Sequence, residues 1–178
     1  TVDCLWSSYS MNGREDKYQW AGPYLYSRQM VVVKNESEIQ TLSDLKGKRI
    51  AVQATTKAED LFLHNIKSDL PQMQQVNCFS TTNEIYAALR KSYVDAIAGH
   101  EAMLGSLVKE GKDAYRMLDE SIYKSELGVA FKKGTHEEVA TDLTETLKKL
   151  QREGITEKIV TKYGLDADEI LPEGEQNE

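Results

Sequence analysis

Short apolar runs alternate along the chain with stretches in which apolar residues recur every three or four positions. Runs of β-branched, aromatic and other apolar residues predict strands. They cover residues 2–6, 24–34, 49–53, 76–79, 93–98, 115–118 and 127–131. The first run is predicted to turn through the serine hydroxyls of residues 7–10 toward the pair Asn12-Gly13, which is typical of turns. An aromatic-Gly-Pro-Tyr corner at residues 20–24 is predicted before the second run.

The stretches between these strands predict helices, because their apolar residues share one helical face. They cover residues 58–68, 85–91, 102–110, 135–153 and 155–163. In the longest helix the apolar stripe consists of Val139, Leu143, Leu147 and Leu150. Gly154 is a plausible stop for this helix. The acidic tail after it, residues 166–178, is predicted to fray.

Alternation of strands with helices of this length predicts an α/β fold built from βαβ units around a parallel sheet. In such folds ligands gather where the carboxyl ends of strands meet helix N-termini. Three segments of the sequence are predicted to lie at such places: residues 6–14, 53–57 and 98–101. Each of the three turns is explained equally well as ordinary helix capping.

The length and net charge of the chain limit the number of domains and the kinds of binding partner that we expect. The chain has 178 residues, enough for one domain or two small ones, and its net charge is −7 with a pI of about 5.1. It has no basic run or stripe, which argues against nucleic acid and against an anionic membrane surface. No apolar run approaches the roughly 20 residues that a membrane-spanning helix needs.

The cysteines and histidines give no metal pattern. Cys4 and Cys78 are far apart, without a CxxC spacing, so they either form a disulfide or are two independent buried thiols, the interpretation we favour. The three histidines are scattered, and we predict neither a metal site nor a cofactor.

Arg14 stands just after the first turn and the serines before it. A guanidinium offers a planar fork that matches two carboxylate oxygens, and hydroxyls such as that of Ser10 can satisfy the remaining lone pairs. Taken alone, a surface turn followed by a solvated arginine explains the same residues.

Five segments in order carry a family pattern. The first segment runs from Asp3 to Arg14 and is followed by Trp-Ala-Gly-Pro-Tyr at residues 20–24. The second, at residues 42–57, is Leu-Ser-Asp-Leu-Lys-Gly-Lys-Arg-Ile-Ala-Val-Gln-Ala-Thr-Thr-Lys. The other three are Ala-Leu-Arg-Lys-Ser-Tyr-Val-Asp-Ala at 88–96, Gly-Val-Ala-Phe-Lys-Lys-Gly at 128–134, and residues 150–163. With these segments the chain resembles the extracytoplasmic solute-binding proteins that feed polar amino acids to bacterial ABC importers. The likeness runs from Asp3 to about Gly164.

The resemblance implies a two-lobe, type II periplasmic-binding-protein-like fold that clasps its ligand between the lobes. Lobe 1 would comprise residues 1–24 and 128–178, lobe 2 residues 29–122, and the hinge residues 24–28 and 123–127. Family chains have a strand, a helix and a strand before the Asp3 motif, so lobe 1 is expected to be incomplete here. An incomplete lobe 1 is expected to expose apolar surface or to pair with a second copy, as a dimer or by exchange of segments.

The resemblance also implies binding roles for residues of lobe 1. Arg14 would clamp the α-carboxylate of an amino acid. Ser8, through its carbonyl, and Ser10 would hold the α-amino group. The segment before Arg14 is one residue shorter than the family pattern.

In lobe 2 the resemblance points to two turns. Thr56 would donate its hydroxyl and N–H to the carboxylate, and Gln53 would contact the ligand side chain. Thr55 stands where the family has glycine and is expected to reshape the turn. Where the family places an acid for the ligand ammonium, His100 stands, with Glu101 next to it, and either could face the ligand.

The implied function is capture of an amino acid or related polar solute outside the cytoplasm and delivery to ABC permease subunits. The protein would be periplasmic, or a surface lipoprotein of a Gram-positive bacterium, and not an enzyme. The alternatives are the ligand-sensing domain of a signalling receptor and, less favoured, a dehydratase of the same fold. Only His100 and Glu101 could supply the general acid or base that a dehydratase needs.

Overall fold

The computed structural model describes residues 2–64 and 69–172. The chain divides into two compact units. Unit 1 comprises Thr1–Ser27 and Lys124–Glu178, and unit 2 comprises Arg28–Tyr123. Along the chain, the units divide after Ser27 and after Tyr123, and these points lie within the strands β2 (Tyr18–Lys34) and β7 (Tyr123–Lys132).

In its described residues, unit 2 consists of a sheet, helices and a 3₁₀ turn. Besides the second half of β2, its elements are a 3₁₀ turn (Leu42–Leu45), β3 (Arg49–Gln53), α1 (Lys57–Leu63), β4 (Gln75–Phe79), α2 (Thr82–Arg90), β5 (Ala96–His100), α3 (Glu101–Glu110) and β6 (Tyr115–Met117). Strand β3 lies parallel to both β4 and β5, whereas β2 runs antiparallel to β5 and β6. The α/β prediction is confirmed, but the sheet is mixed rather than parallel throughout.

Both faces of the unit 2 sheet are buried. On one face Val31, Val33 and Ile50 pack with Leu61 of α1. On the other face Met30, Val32 and Ala51 pack with residues of α2 and α3 such as Ile85 and Leu104. Strands buried on both sides need apolar residues at successive positions, which explains why they appear as continuous apolar runs in the sequence.

Unit 1 contains β1 (Cys4–Ser10), the first part of β2, most of β7 and three helices: α4 (Glu137–Arg152), α5 (Ile155–Lys162) and α6 (Ala167–Ile170). Strand β1 runs antiparallel to β7, with a register shift between Trp6 and Ser10. The core of this unit is formed by Ala21, Val129, Phe131 and Ala140. Gly22 in β2 has φ +111°, and a Cβ there would lie 2.9 Å from the backbone nitrogen of Tyr24, so the position requires glycine.

Several strand ends differ from the prediction. Strand β1 continues to Ser10 instead of turning at residue 7. Strand β2 begins at Tyr18, so the segment predicted as a corner is part of a strand. The predicted turn at 98–101 is also wrong, since β5 extends through Gly99 and His100 and α3 starts at Glu101. In each case hydrogen bonding to a partner strand overrides the local turn signal.

The helices show three further differences. Helix α1 ends at Leu63, and residues 65–68, predicted as its end, lie outside the described residues. Val139 is 51% exposed, and Ala140 takes its place on the buried stripe of α4. The tail does not fray throughout, because Ile170 of α6 is buried; residues 173–178 lie outside the described residues. The stop at Gly154 is confirmed by its left-handed φ of +68°.

Cys4 and Cys78 are both free, which rules out the disulfide in this structure. Cys78 is exposed, so the prediction of two buried thiols is wrong for it. Within residues 2–64 and 69–172 no helix is both long and apolar enough to span a bilayer. The same residues contain no cluster of three or more His, Cys, Asp or Glu side chains suited to a metal ion.

Candidate functional site

Three turns of unit 2 lie along one edge of its sheet. Because β3 is parallel to both β4 and β5, the carboxyl ends of these strands lie at the same edge, and each strand is followed by a helix. This edge is the place where α/β folds bind ligands. It contains the predicted residues Gln53, Thr55 and Thr56 after β3, and His100 and Glu101 at the end of β5.

The turn after β3 is stabilised by hydrogen bonds within the turn and to the first residues of α1. Thr55 has φ +62°, a left-handed conformation that is unusual for a β-branched residue. Its backbone N–H donates to Glu59 Oε2 at 2.7 Å. Thr56 is the N-cap of α1, but its hydroxyl donates to the Gln53 carbonyl at 2.6 Å rather than capping the helix. The amide of Gln53 reaches the Ser80 carbonyl at 3.5 Å, so it bridges two turns.

Glu101 is bound by an arginine that sequence analysis did not identify. Arg28 Nε donates to Glu101 Oε2 at 2.8 Å and Nη2 donates to Oε1 at 2.5 Å. The two side chains are only 12% and 15% exposed. A bidentate pair of this kind fixes both side chains in orientation as well as in charge. Glu101 is therefore more than an ordinary first-turn acid of α3.

His100 faces a second residue that sequence analysis missed. The side-chain nitrogen of Gln29 lies 2.9 Å from His100 Nδ1 and 3.4 Å from Nε2. Gln29 is fully buried, and its Oε1 has no hydrogen-bond partner in the described part of the chain. Burial lowers the pKa of His100 below its ordinary value, because the charged imidazolium loses hydration. His100 is consequently neutral at pH 7.

The burial of His100 makes stability depend on pH. Its folded-state pKa lies below the unfolded value of about 6.5, so protonation favours the unfolded chain. The stabilisation is present above that value and is lost as the pH falls through the folded-state pKa. We expect His100→Gln to reduce this loss, measured by urea unfolding at a series of pH values below neutrality. Equal pH profiles for the wild type and His100→Gln would contradict the prediction.

In unit 1, Arg14 is held by its neighbours. Its Nη1 donates to the Ser10 carbonyl at 3.2 Å, and its guanidinium carbon lies 4.8 Å from the centre of the Tyr9 ring. The Ser10 hydroxyl donates to Asn12 Oδ1 at 3.0 Å. Ser8 lies in β1, two residues before Ser10. The structure thus places the Ser10 carbonyl against Arg14, whereas the Ser10 hydroxyl donates to Asn12, and the binding roles of the two residues stay predictions.

An aromatic cluster supports Arg14. The Tyr9 ring stacks on Trp20 with centroids 5.7 Å apart, and its hydroxyl donates to that of Tyr18 at 2.9 Å. Trp20 Nε1 donates to the Arg14 carbonyl at 3.1 Å. Tyr18 was not identified from the sequence, although its aromatic character was the available signal. Trp6 is 56% exposed and packs edge-on against Tyr24.

In each unit the predicted site residues are held by neighbouring groups of the same unit. The unit 2 edge presents hydroxyls and ordered turns, and unit 1 presents a positioned guanidinium. The two residues that could act as acid and base, His100 and Glu101, are each engaged by a neighbouring side chain. A general base must be able to reach the proton that it abstracts.

Comparison with known proteins gives a consistent result. Residues 18–169 match the family model described as the periplasmic substrate-binding protein of a phosphonate ABC transporter. The chain is 29% identical over 152 residues to the L-cystine-binding protein TcyJ of Escherichia coli K12, covering 84% of this chain and 55% of that protein. It is 26% identical to the glutamate-binding protein GluB of Corynebacterium efficiens, covering 97% and 60%.

A solved structure shows the same fold. The crystal structure of the substrate-binding protein of an amino acid ABC transporter matches with a TM-score of 0.67 and 28% identity, covering 91% of this chain and 70% of that one. This likeness confirms the predicted type II periplasmic-binding-protein-like fold class. The chain spans between about half and two thirds of the length of the two curated relatives, and both of these are named as binding proteins rather than enzymes.

Proposed function

The chain belongs to the family of periplasmic substrate-binding proteins of ABC transporters, and on this basis we propose that it captures a small amino acid or related polar solute for an ABC permease. The observation that carries the proposal is the match over residues 18–169, together with relatives named for binding cystine and glutamate. Such a protein works outside the cytoplasm, which is where we propose that this chain acts. In a Gram-positive bacterium, we propose that the protein is attached to the cell surface as a lipoprotein.

Within this proposal, Arg14 binds an oxyanion of the solute. One of its five N–H groups donates to Ser10, and a guanidinium with its remaining donors in a planar fork matches a carboxylate. Ser8 and Ser10 belong to the same strand, β1. In unit 2, Thr56 supplies its backbone N–H, because its hydroxyl already donates to the Gln53 carbonyl at 2.6 Å. Gln53 supplies an amide, and Thr55 sets the shape of the turn.

The lobe and hinge boundaries taken from the resemblance, and the pairing with a second copy, stay predictions. The proposed function depends neither on the exact lobe and hinge boundaries nor on pairing with a second copy. The sensor and dehydratase functions also remain alternatives of the same fold; no contact described above favours either over solute capture.

Thermal melting against a panel of solutes tests the proposal. A solute that binds only the native state stabilises it by about 2.7 kcal/mol at 100 times its Kd, so the melting midpoint must rise. The panel comprises the twenty amino acids, cystine, their deaminated acids and simple phosphonates, with glucose as the unrelated control. We expect one chemical group of the panel, and not glucose, to raise the midpoint. If no member raises it, the proposed function is wrong; if a bound solute is consumed, the chain is an enzyme.

A further inference from the structure

The segment that carries Arg14 is hydrogen-bonded to strand β7. The Met11 N–H donates to the Glu126 carbonyl at 2.8 Å, and the Glu126 N–H donates to Asn12 Oδ1 at 2.8 Å. The Ser10 hydroxyl donates to the same oxygen of Asn12 at 3.0 Å. The side chain of Asn12 therefore joins the end of β1 to a residue that lies 114 positions further along the chain.

The indole of Trp20, in strand β2, holds the same segment at Arg14 itself. Its Nε1 donates to the Arg14 carbonyl at 3.1 Å, and this carbonyl also accepts from the Lys17 N–H at 2.9 Å. The indole lies close to the backbone of β7, because a Cβ added to Gly128 would lie 2.9 Å from Trp20 Cε3. Glycine at position 128 thus leaves the space that the indole occupies.

The guanidinium of Arg14 is positioned by its neighbours, but most of its donors are not used by them. Its carbon lies 4.8 Å from the centre of the Tyr9 ring, and Nη1 donates to the Ser10 carbonyl at 3.2 Å. Within residues 2–64 and 69–172, Nε and Nη2 have no hydrogen-bond partner, and no carboxylate forms an ion pair with this side chain. These two nitrogens form one edge of the planar fork, which matches two oxygens of a carboxylate or phosphonate. The protein's own contacts therefore hold this cation without supplying an anion for it.

Holding a side chain in its binding geometry increases affinity, because binding then costs less conformational entropy. We propose that Trp20 and Asn12 are positioning residues of the solute site. They hold the segment of Arg14 against β7, and they act on the solute only through the guanidinium that this segment carries. This inference rests on the proposed function, concerns unit 1 alone, and names residues that set the affinity without touching the solute.

Side-chain NMR of the full 178-residue chain without solute tests whether Arg14 is held in this way. The heteronuclear NOE of the Arg14 Nε–H group reports fast motion of the guanidinium, and Arg14→Lys assigns the signal by removing it. We expect restricted motion in the wild type and greater motion in Trp20→Phe, which lacks the indole N–H, and in Asn12→Ala. The control Trp6→Phe changes the other tryptophan, which is 56% exposed, and should leave the signal unchanged. A mobile Arg14 in the wild type, or equal motion in the wild type and both variants, overturns the inference whatever the solute is.

Double-mutant cycles test whether the two residues act through Arg14. NMR titration, which measures affinities into the millimolar range, would use the solute identified by melting. We expect Trp20→Phe and Asn12→Ala each to weaken binding by about tenfold in the wild-type background, and by less than about twofold in the Arg14→Ala background. Trp6→Phe should have no such effect in either background.

The outcomes of these cycles separate the inference from the proposed function. Equal losses of affinity in the two backgrounds would show that Trp20 and Asn12 do not act through Arg14; the inference would then be wrong and the proposed function would stand. If no solute of the panel binds, both are overturned. A variant that no longer unfolds cooperatively is replaced by Gly128→Ala, whose Cβ would press on Trp20 Cε3 and should displace the indole with the same effect on affinity.

Discussion

Replacing Arg14 by alanine is expected to weaken solute binding by about 100-fold. Truncating one partner of a charge-assisted, hydrogen-bonded pair typically costs about 2–5 kcal/mol, and about 2.7 kcal/mol corresponds to this factor. The guanidinium is positioned for such a pair by the Tyr9 ring at 4.8 Å and by the Ser10 carbonyl at 3.2 Å. Calorimetric titration with the solute identified by melting measures the change.

Two control variants separate the role of Arg14 from a general effect of charge. Lys17→Ala removes an exposed cation three residues later and should change the affinity by less than about twofold, because an exposed charge is screened by solvent. Arg14→Lys keeps the charge without the fork and should recover only part of the affinity. Equal affinities of the wild type and Arg14→Ala would show that Arg14 does not contact the solute.

Replacing Leu61 by alanine is expected to lower the free energy of unfolding by about 3 kcal/mol. Leu61 is fully buried on α1 and packs in the cluster that contains Ile50 and Val52 of β3. The substitution removes apolar contacts and leaves a cavity that the strands cannot fill without moving. Urea unfolding followed by circular dichroism measures the change.

The same helix offers a matched control for this substitution. Leu63 lies two residues later and is 49% exposed. Leu63→Ala removes the same atoms from a surface position, so it should change the unfolding free energy by less than about 0.5 kcal/mol. A cost for Leu63→Ala similar to that of Leu61→Ala would mean that burial in this cluster does not account for the stability of α1.

The prediction of elements from sequence succeeded best where a strand is buried on both faces. Strand β3 was predicted with its true ends, Arg49 and Gln53, since its buried residues 50–52 form one continuous apolar run with a polar residue on each side. Strand ends with polar residues were harder. Ser10 and His100 look like turn residues, but hydrogen bonds to β7 and β2 keep them in strands. Local sequence does not contain the information about these distant partners.

The same limitation applies to the candidate site. Ser10 with Arg14, and Thr55 with Thr56, could be proposed from the sequence because the members of each pair are close together in it; their binding roles stay predictions. Arg28 and Gln29 were missed because their partners, Glu101 and His100, lie more than 70 residues further along and are brought near by the antiparallel pairing of β2 with β5. The usable signal was the polar pair itself, which interrupts an apolar strand run.

Thr55 has a consequence for directed evolution of this chain. Its φ of +62° is a conformation that glycine adopts at no steric cost and threonine rarely adopts. A library selected for heat resistance alone would therefore enrich glycine or asparagine at this position. A library selected for solute capture would retain threonine if its side chain shapes the turn for the solute. The residue recovered from the two selections would reveal whether the strained turn is an accident of descent or an adaptation.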